Sequence, residues 1–373
     1  MGGAGPGQYD TAAKRWAGVG PYYAMFPTDF ADRVVRHYTK EGDTVLDPFA
    51  GRGTSIFSAA VQGRSGIGIE VSPVGWVYTR TKLAPAGKQA VSNRIRELDT
   101  QAGRFLREAE AMPEFFHHCY SPRVQQFLLA ARKHLDWRGD RVDRTLMALL
   151  LVYLHGKRGG ALSNQMRQAK SMAPDYAVRW WKDRQLAPPD VDPVDFLTRR
   201  LEWRYAKGRP STAKCWVYLR DSVERLPELK RELREGKFKP VRLLLTSPPY
   251  YGVTNYHYDQ WLRLWLLGGA PNARRPAGAG DHRDKFENLE KYRRLLVRVF
   301  EGASALLDKK SSVYVRTDRR ELTRDVTNEI LRTTFPGRRI RVKEQPFQRP
   351  TQTSLFGDAS VKAGEVDFII SGS

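Results

Sequence analysis

Asp47-Pro48-Phe49-Ala50-Gly51-Arg52-Gly53-Thr54 stands between two short apolar runs, Thr44 to Asp47 and Gly66 to Val71. Both runs have the length and composition of buried strands. The small-residue stretch from Thr54 to Gln62 reads as a helix that Gly63 stops. Strand, turn, helix and strand make one unit of a parallel sheet. Glycines at 51 and 53 let a ligand approach the backbone, and the following helix turns its first amides outward. In a doubly wound sheet such a turn lies in the ligand crevice at the carboxyl ends of the strands. Glu70 ends the second run 23 residues after Asp47, where a carboxylate accepts hydrogen bonds from the two hydroxyls of a ribose.

Outward from this unit, Phe30, Val34 and Val35 recur at helical spacing between Thr28 and Tyr38. From about Val91 to Leu201 the pattern is mainly helical, broken by prolines at 188, 189 and 193. Trp216 to Leu219 and Val241 to Leu245 return to strand character, and the second runs into Thr246-Ser247-Pro248-Pro249-Tyr250. A helix around Tyr258 to Leu267 should turn Trp261 and Trp265 toward the sheet. Pro271 to Lys285, rich in Gly, Pro and Arg, reads as a mobile loop. A further helix from about Leu289 to Leu307 precedes late strands at Val313, Val315 and Val366 to Ile370. The expected fold class is α/β, a Rossmann-like, mostly parallel, doubly wound sheet with a largely helical insertion. The expected organisation is a flexible arm over residues 1–20, a first half of the sheet domain over 21–90, the insertion over 91–210 and the second half over 211–373.

Of the 373 residues, 63 are Lys or Arg and 41 Asp or Glu, a formal net charge of +22. The excess is not a tail: Ala131 to Arg220 alone carries 19 basic and 9 acidic residues. A polyanion is the natural partner, and nucleic acid fits better than membrane, since no basic amphipathic helix or lipidation signal accompanies the charge. No run approaches the roughly 18 apolar residues of a membrane span. Cys119 and Cys215 are distant and in no metal-ligand spacing, so neither disulfide nor zinc is indicated. The adjacent His117 and His118 complete no ligand set, and no metal is expected. A reducing cytoplasm, in a prokaryote or phage and at the nucleoid, is the expected setting.

Thr246 to Tyr250 carries the sharpest chemistry. Two prolines fix φ and lack N–H groups, so the turn presents an outward carbonyl, while the preceding Ser247 offers a second polar group. Such a pair can hold both hydrogens of an exocyclic amine and aim its lone pair, so that catalysis is orientation and electrostatics. Tyr250 offers a stacking face for a base taken out of the helix.

The octapeptide at Asp47 resembles the cofactor-binding motif of the amino-group DNA methyltransferases, Asp-Pro-Phe-x-Gly-x-Gly-Thr, and Ser247 to Tyr250 resembles their catalytic motif. The resemblance covers roughly Tyr22 to Pro73 and Asp221 to Leu267. It implies the methyltransferase version of the Rossmann-like fold, S-adenosylmethionine as cofactor, and Ser247, Pro248, Pro249 and Tyr250 as the catalytic turn. It gives the methionine end of the cofactor to Asp47, Phe49, Gly51, Gly53 and Thr54 and the ribose to Glu70. Tyr22 and Phe26, in the run Tyr22 to Pro27, look like the family's extra cofactor motif; both could equally be core. Asp221, at a strand end, is the candidate for the adenine amino group, although an acid there is also a common helix cap. In this family Ser-Pro-Pro-Tyr is more frequent in cytosine-N4 enzymes and Asp-Pro-Pro-Tyr in adenine-N6 enzymes, so cytosine is the expected target; the alternatives are an adenine-N6 enzyme, an RNA amino-methyltransferase and a non-catalytic DNA-binding module.

Double-stranded DNA is the implied partner, with a restriction endonuclease acting on the same site as a possible second. His155 to Lys182 carries six basic residues and one acid among Asn, Gln and aromatic residues. Lys157, Arg158, Arg167 and Lys170 are candidates for phosphates and Asn164 for a base edge; Arg274 and Arg275 belong to a loop that could close over DNA. Asp221 follows the insertion, whereas the family's usual break falls later, so residues 91–210 are either the recognition region or a helical elaboration.

Overall fold

The structure, a computed structural model, describes residues 9–21, 26–251, 256–273, 288–345 and 364–372. Its strands are β1 (Thr44–Asp47), β2 (Ser65–Glu70), β3 (Cys215–Leu219), β4 (Val241–Thr246), β5 (Leu307–Asp318), β6 (Ile340–Gln345) and β7 (Glu365–Ile370). They form one seven-stranded sheet in the order β3-β2-β1-β4-β5-β7-β6. β3, β2, β1, β4 and β5 run parallel, and β7 is antiparallel to both β5 and β6. This is the expected α/β, Rossmann-like architecture, and β1 and β4 are the neighbours at which the strand order reverses, the place where such sheets open a ligand crevice.

The central strands are apolar along their length because helices cover both faces. Successive residues feed opposite layers. Leu46, Leu244, Val313 and Val315 pack under the helices Ser222–Arg234, Leu289–Ser304 and Glu321–Thr334. Val45, Leu243, Leu245 and Tyr314 pack under the helix Thr28–Tyr38. The period of two in the side chains makes this division.

The helices between β2 and β3 do not stand apart from the sheet domain. Their apolar residues form one cluster with the helix Pro73–Leu83, which follows β2, and with Trp261, Leu262, Trp265 and Leu266 of the helix Tyr256–Leu266. That last helix departs from expectation: its aromatic face enters the helical layer, not the sheet. Trp261 meets Phe115 with ring centroids 4.9 Å apart, and Trp265 meets Phe116 at 4.6 Å. Periodicity marks an apolar face and is silent on which neighbour covers it. No helix of the described residues is long and apolar enough to cross a membrane.

The expected flexible arm over residues 1–20 is likewise corrected where it is described. Thr11 caps the helix Ala12–Ala17, whose Trp16 is fully buried and donates its indole N–H to the Gly208 carbonyl at 3.1 Å. Trp16 also packs edge-on against Tyr205, 5.0 Å between centroids. Gly-rich composition outweighed one aromatic anchor in the sequence reading. Trp16→Ala should therefore destabilise the fold by about 3–5 kcal/mol, read as a lower urea midpoint with an unchanged slope; a mobile arm would leave the midpoint in place.

Candidate active site

Four parallel strands end along one edge of the sheet, and the candidate residues end with them. Asp47 closes β1, Glu70 closes β2, Asp221 follows β3 and Ser247 follows β4. The Asp47 carboxylate is 2 % exposed and gathers three donors. Phe49 N–H lies 3.0 Å from Oδ1, the Thr246 hydroxyl 2.7 Å from Oδ1, and the Ser55 hydroxyl donates to Oδ2. One side chain thus ties the turn to the first turn of the helix Thr54–Val61 and to the last residue of β4. Burial pushes its carboxyl up to about 6, against the pull of those three donors.

Glu70 accepts Gly51 N–H at 2.6 Å and Ser72 N–H at 2.7 Å. Burial raises its carboxyl to about 7, with Asp47 adding to the rise. The turn between these acids has no room to spare. Gly53 sits at φ 73°, a left-handed conformation that favours glycine, and any β-carbon there would collide with Thr79. Gly75 packs directly on the Gly51 carbonyl, which a side chain at 75 would displace. The result is a tight cradle framed by two acids, in which Gly51 is half-buried and Gly53 buried.

Of the remaining cofactor candidates, Phe49 is half-buried and Thr54 is buried, its hydroxyl accepting from Arg52 Nε at 3.1 Å. Phe26 is 7 % exposed and packs on Phe30, 5.4 Å between centroids, so it is placed as core. Asp221 caps the helix Ser222–Arg234 by accepting Val223 N–H at 2.7 Å. Next to it the Ser222 hydroxyl donates to the Pro48 carbonyl, joining the β3 end to the cofactor turn. Tyr22 lies outside the described residues, as do Arg274 and Arg275.

In the second turn Pro248 is buried, while Ser247, Pro249 and Tyr250 are half-buried. Ser247 Oγ stands 3.4 Å from the Tyr250 hydroxyl across the two prolines. The Tyr251 carbonyl accepts from Arg320 Nη2 at 2.6 Å, which pins the exit of the turn to the end of β5.

The basic stretch is held along the helix Tyr256–Leu266, which follows this turn in the chain. Ser171 N–H donates to the Asp259 carbonyl at 2.8 Å, Trp261 Nε1 to Met172 O at 3.0 Å, and Arg263 Nη2 to Gln168 O at 2.6 Å. Lys170 pairs with Asp259 at 3.1 Å. The loop before the helix Pro174–Lys182 is therefore fastened along the helix that begins six residues after Tyr250. Lys157, Arg158 and Arg167 are exposed on it. Asn164 is a correction. It is fully buried, and its amide donates to the His118 carbonyl at 3.1 Å and the Leu186 carbonyl at 2.7 Å, so it braces the loop and meets no base. Trp181, also buried, donates to the Gln165 carbonyl at 2.8 Å.

Sequence reasoning missed Thr246 and Ser55 as partners of Asp47. A hydroxyl residue ending an otherwise apolar strand, next to a polar motif, was the signal available for Thr246.

Comparison with known proteins agrees with the class these two turns define. The family model described as DNA methylase, of the N6 and N4 type, matches residues 6–74. The type II methyltransferase M.MjaII of Methanocaldococcus jannaschii is 25% identical over 112 residues, 28% of this chain and 21% of that protein. M.MthZI of Methanothermobacter thermautotrophicus is 46% identical over 48 residues, 13% of this chain and 14% of that protein, and M.BamHI of Bacillus amyloliquefaciens 31% over 86 residues, 20% of each. These matches span about a fifth or less of the relatives' lengths. Among solved structures, the rRNA methyltransferase aviRa from Streptomyces viridochromogenes aligns over 97% of this chain and 96% of its own with a TM-score of 0.35 and 11% identity. The chain is similar to the amino-group DNA methyltransferases, as its two motifs indicate.

The two raised carboxyls give a pH signature. Their folded values, about 6 and about 7, lie above the ordinary carboxylate range, so the folded chain holds protons that the unfolded chain has released. This contribution to stability is complete below the ordinary range and is lost as pH rises toward 7. Glu70→Gln should flatten the part of the urea-unfolding pH profile between roughly pH 5 and 7; an unchanged slope would show that Glu70 does not titrate there.

Proposed function

We propose that the protein transfers a methyl group from S-adenosylmethionine to the exocyclic N4 amine of cytosine in double-stranded DNA. The observation that carries this reading is the Thr246–Asp47 hydrogen bond, which holds the Gly51–Gly53 cradle and the Ser-Pro-Pro-Tyr turn side by side at the reversal point of the sheet. A methyl donor and an acceptor amine held by these turns would meet over adjacent strand ends.

When bound, S-adenosylmethionine supplies an electrophilic methyl group on a sulfonium. The half-buried Gly51 would lie against its methionine portion, with the buried Gly53 shaping the turn, while the Glu70 carboxylate would take its ribose hydroxyls and Asp221 its base. Ser247 Oγ and the Pro248 carbonyl accept the two amine hydrogens, which turns the amine lone pair outward. Tyr250 stacks on the flipped base, a contact worth about 1–3 kcal/mol. For the base to enter, the Tyr250 hydroxyl must give up its place beside Ser247. Lys157, Arg158 and Arg167, exposed on the loop fastened to the helix that follows this turn, take backbone phosphates. Ser247 favours cytosine, since the resemblance associates serine at this position with N4 enzymes. The setting is that of the similar type II methyltransferases, with a cognate endonuclease reading the same site.

Incubation of the chain with radiolabelled cofactor and either DNA or RNA, followed by nucleoside analysis, tests the reading. Label in N4-methylcytosine of DNA is expected; label in adenine would move the target base, and label in RNA alone would overturn the substrate. Ser247→Ala should lower turnover by on the order of 10²-fold, as the loss of one positioned hydrogen-bonding group does elsewhere. Tyr250→Ala should reduce turnover more than duplex affinity. The double change Lys157→Gln with Arg158→Gln should lower the slope of log affinity against log salt by about 2. An unchanged slope would remove these residues from the DNA contact.

A further inference from the structure

Three basic side chains, Arg52, Lys82 and Arg204, are buried with no carboxylate partner among the described residues. Arg52 is 7 % exposed, Lys82 1 % and Arg204 3 %. Arg52 donates to the Gly20 carbonyl at 3.0 Å and the Thr54 hydroxyl at 3.1 Å, both neutral. Arg204 donates to the Arg15 carbonyl, and its Nε has no acceptor among the described residues. Lys82 Nζ lies 6.0 Å from the centre of the Phe57 ring. The Tyr78 hydroxyl, one turn before Lys82 on the same face of the helix Pro73–Leu83, is fully buried, makes no hydrogen bond of normal length among the described residues and has Arg263 and Arg52 as its charged neighbours.

Three of these groups border one piece of backbone, Gly18 to Gly20. Arg204 adjoins Gly18, the Tyr78 ring adjoins Gly20, and Arg52 holds the Gly20 carbonyl. Among the described residues none of the three cations pairs with a carboxylate, and residues 1–8 and 22–25, which flank this backbone in the chain, contain no Asp or Glu. Burial works against every charge here. It pushes Arg52 down to about 10 and Lys82 well below the usual lysine range, with Arg52 and Arg204 adding repulsion at Lys82. Uncompensated buried cations are costly, and an anion among them removes that cost at one stroke.

We propose that Arg52, Tyr78, Lys82 and Arg204 form a buried site for one small anion of the carboxylate class. The guanidinium groups offer forked donors, the ammonium a point charge and the phenol a further donor. Two sources carry this chemistry: the carboxylate at the aminoacyl end of the methyl donor, or a free carboxylate from solution. The first rests on the reading given under Proposed function; the second does not.

The full-length chain tests both. At constant ionic strength, acetate is expected to raise the Tm of the wild type by a few degrees and to leave Lys82→Met unmoved. Lys82→Met removes a buried charge, so it should fold with a Tm at or above that of the wild type in the absence of acetate; Tyr78→Phe is the second, milder variant. For the donor-borne carboxylate, the wild type should bind S-adenosylhomocysteine roughly tenfold or more tighter than its decarboxylated analogue. Both variants should narrow that ratio in equilibrium dialysis. A wild type that responds to acetate no more than Lys82→Met, together with a ratio that neither variant changes, overturns the site. Failure of the wild type to bind either nucleoside would overturn the methyl-donor reading instead, and the acetate response would still decide the anion site.

Discussion

The Asp47 carboxylate is the constraint on which the site depends. It is buried and held by one amide and two hydroxyls, and each donor belongs to a different structural duty: Phe49 to the turn, Ser55 to the helix after it, Thr246 to the neighbouring strand. Removing the carboxylate would leave the two hydroxyls buried without their acceptor and loosen the Gly51–Gly53 turn from the Ser-Pro-Pro-Tyr turn. A carboxylate with satisfied lone pairs fixes relative position better than apolar packing, because it specifies both distance and direction. The energetic strain of keeping it in a dry place appears as its raised carboxyl.

Around that point the molecule is joined by glycine contacts and by backbone carbonyls. Gly75 on the Gly51 carbonyl and Gly53 against Thr79 bring the helix Pro73–Leu83 as close to the turn as two backbones can come. On the opposite side of the turn, Ser222 reaches Pro48. The helical insertion is tied in differently, through Trp261 and Trp265 and through carbonyls that receive the buried Arg263. The guanidinium of Arg263 bonds to the Leu151 carbonyl of the helix Arg141–Tyr153, to Gln260 of its own helix and to the Gln168 carbonyl, and so joins one helix and one loop to the helix Tyr256–Leu266.

Much of the sheet was legible in the sequence because its strands are buried on both faces and bounded by turn residues. Thr28 to Tyr38 and Thr44 to Asp47 were read with the limits they have, and the octapeptide fixed the place of the crevice. What was not legible was partnership. Asn164 carries the same amide whether it faces a groove or braces a loop, and only the positions of His118 and Leu186 decide. Trp16 sat in a Gly-rich stretch whose composition suggested disorder, and its burial depends on Tyr205 and Gly208, far along the chain. Thr246 was visible as part of a motif, but its bond crosses between strands that lie nearly two hundred residues apart.

The fastening of the loop at 165–172 along the helix Tyr256–Leu266 has a mechanical consequence. In the proposed DNA complex, the phosphate-binding Arg158 and Arg167 lie on a loop that is bonded to the helix following the Ser-Pro-Pro-Tyr turn. A duplex held there would supply much of the distortion itself, through unstacking and bending, which are easiest at pyrimidine–purine steps. Elasticity of the nucleic acid, and not only the pattern of its base edges, would then enter the choice of target.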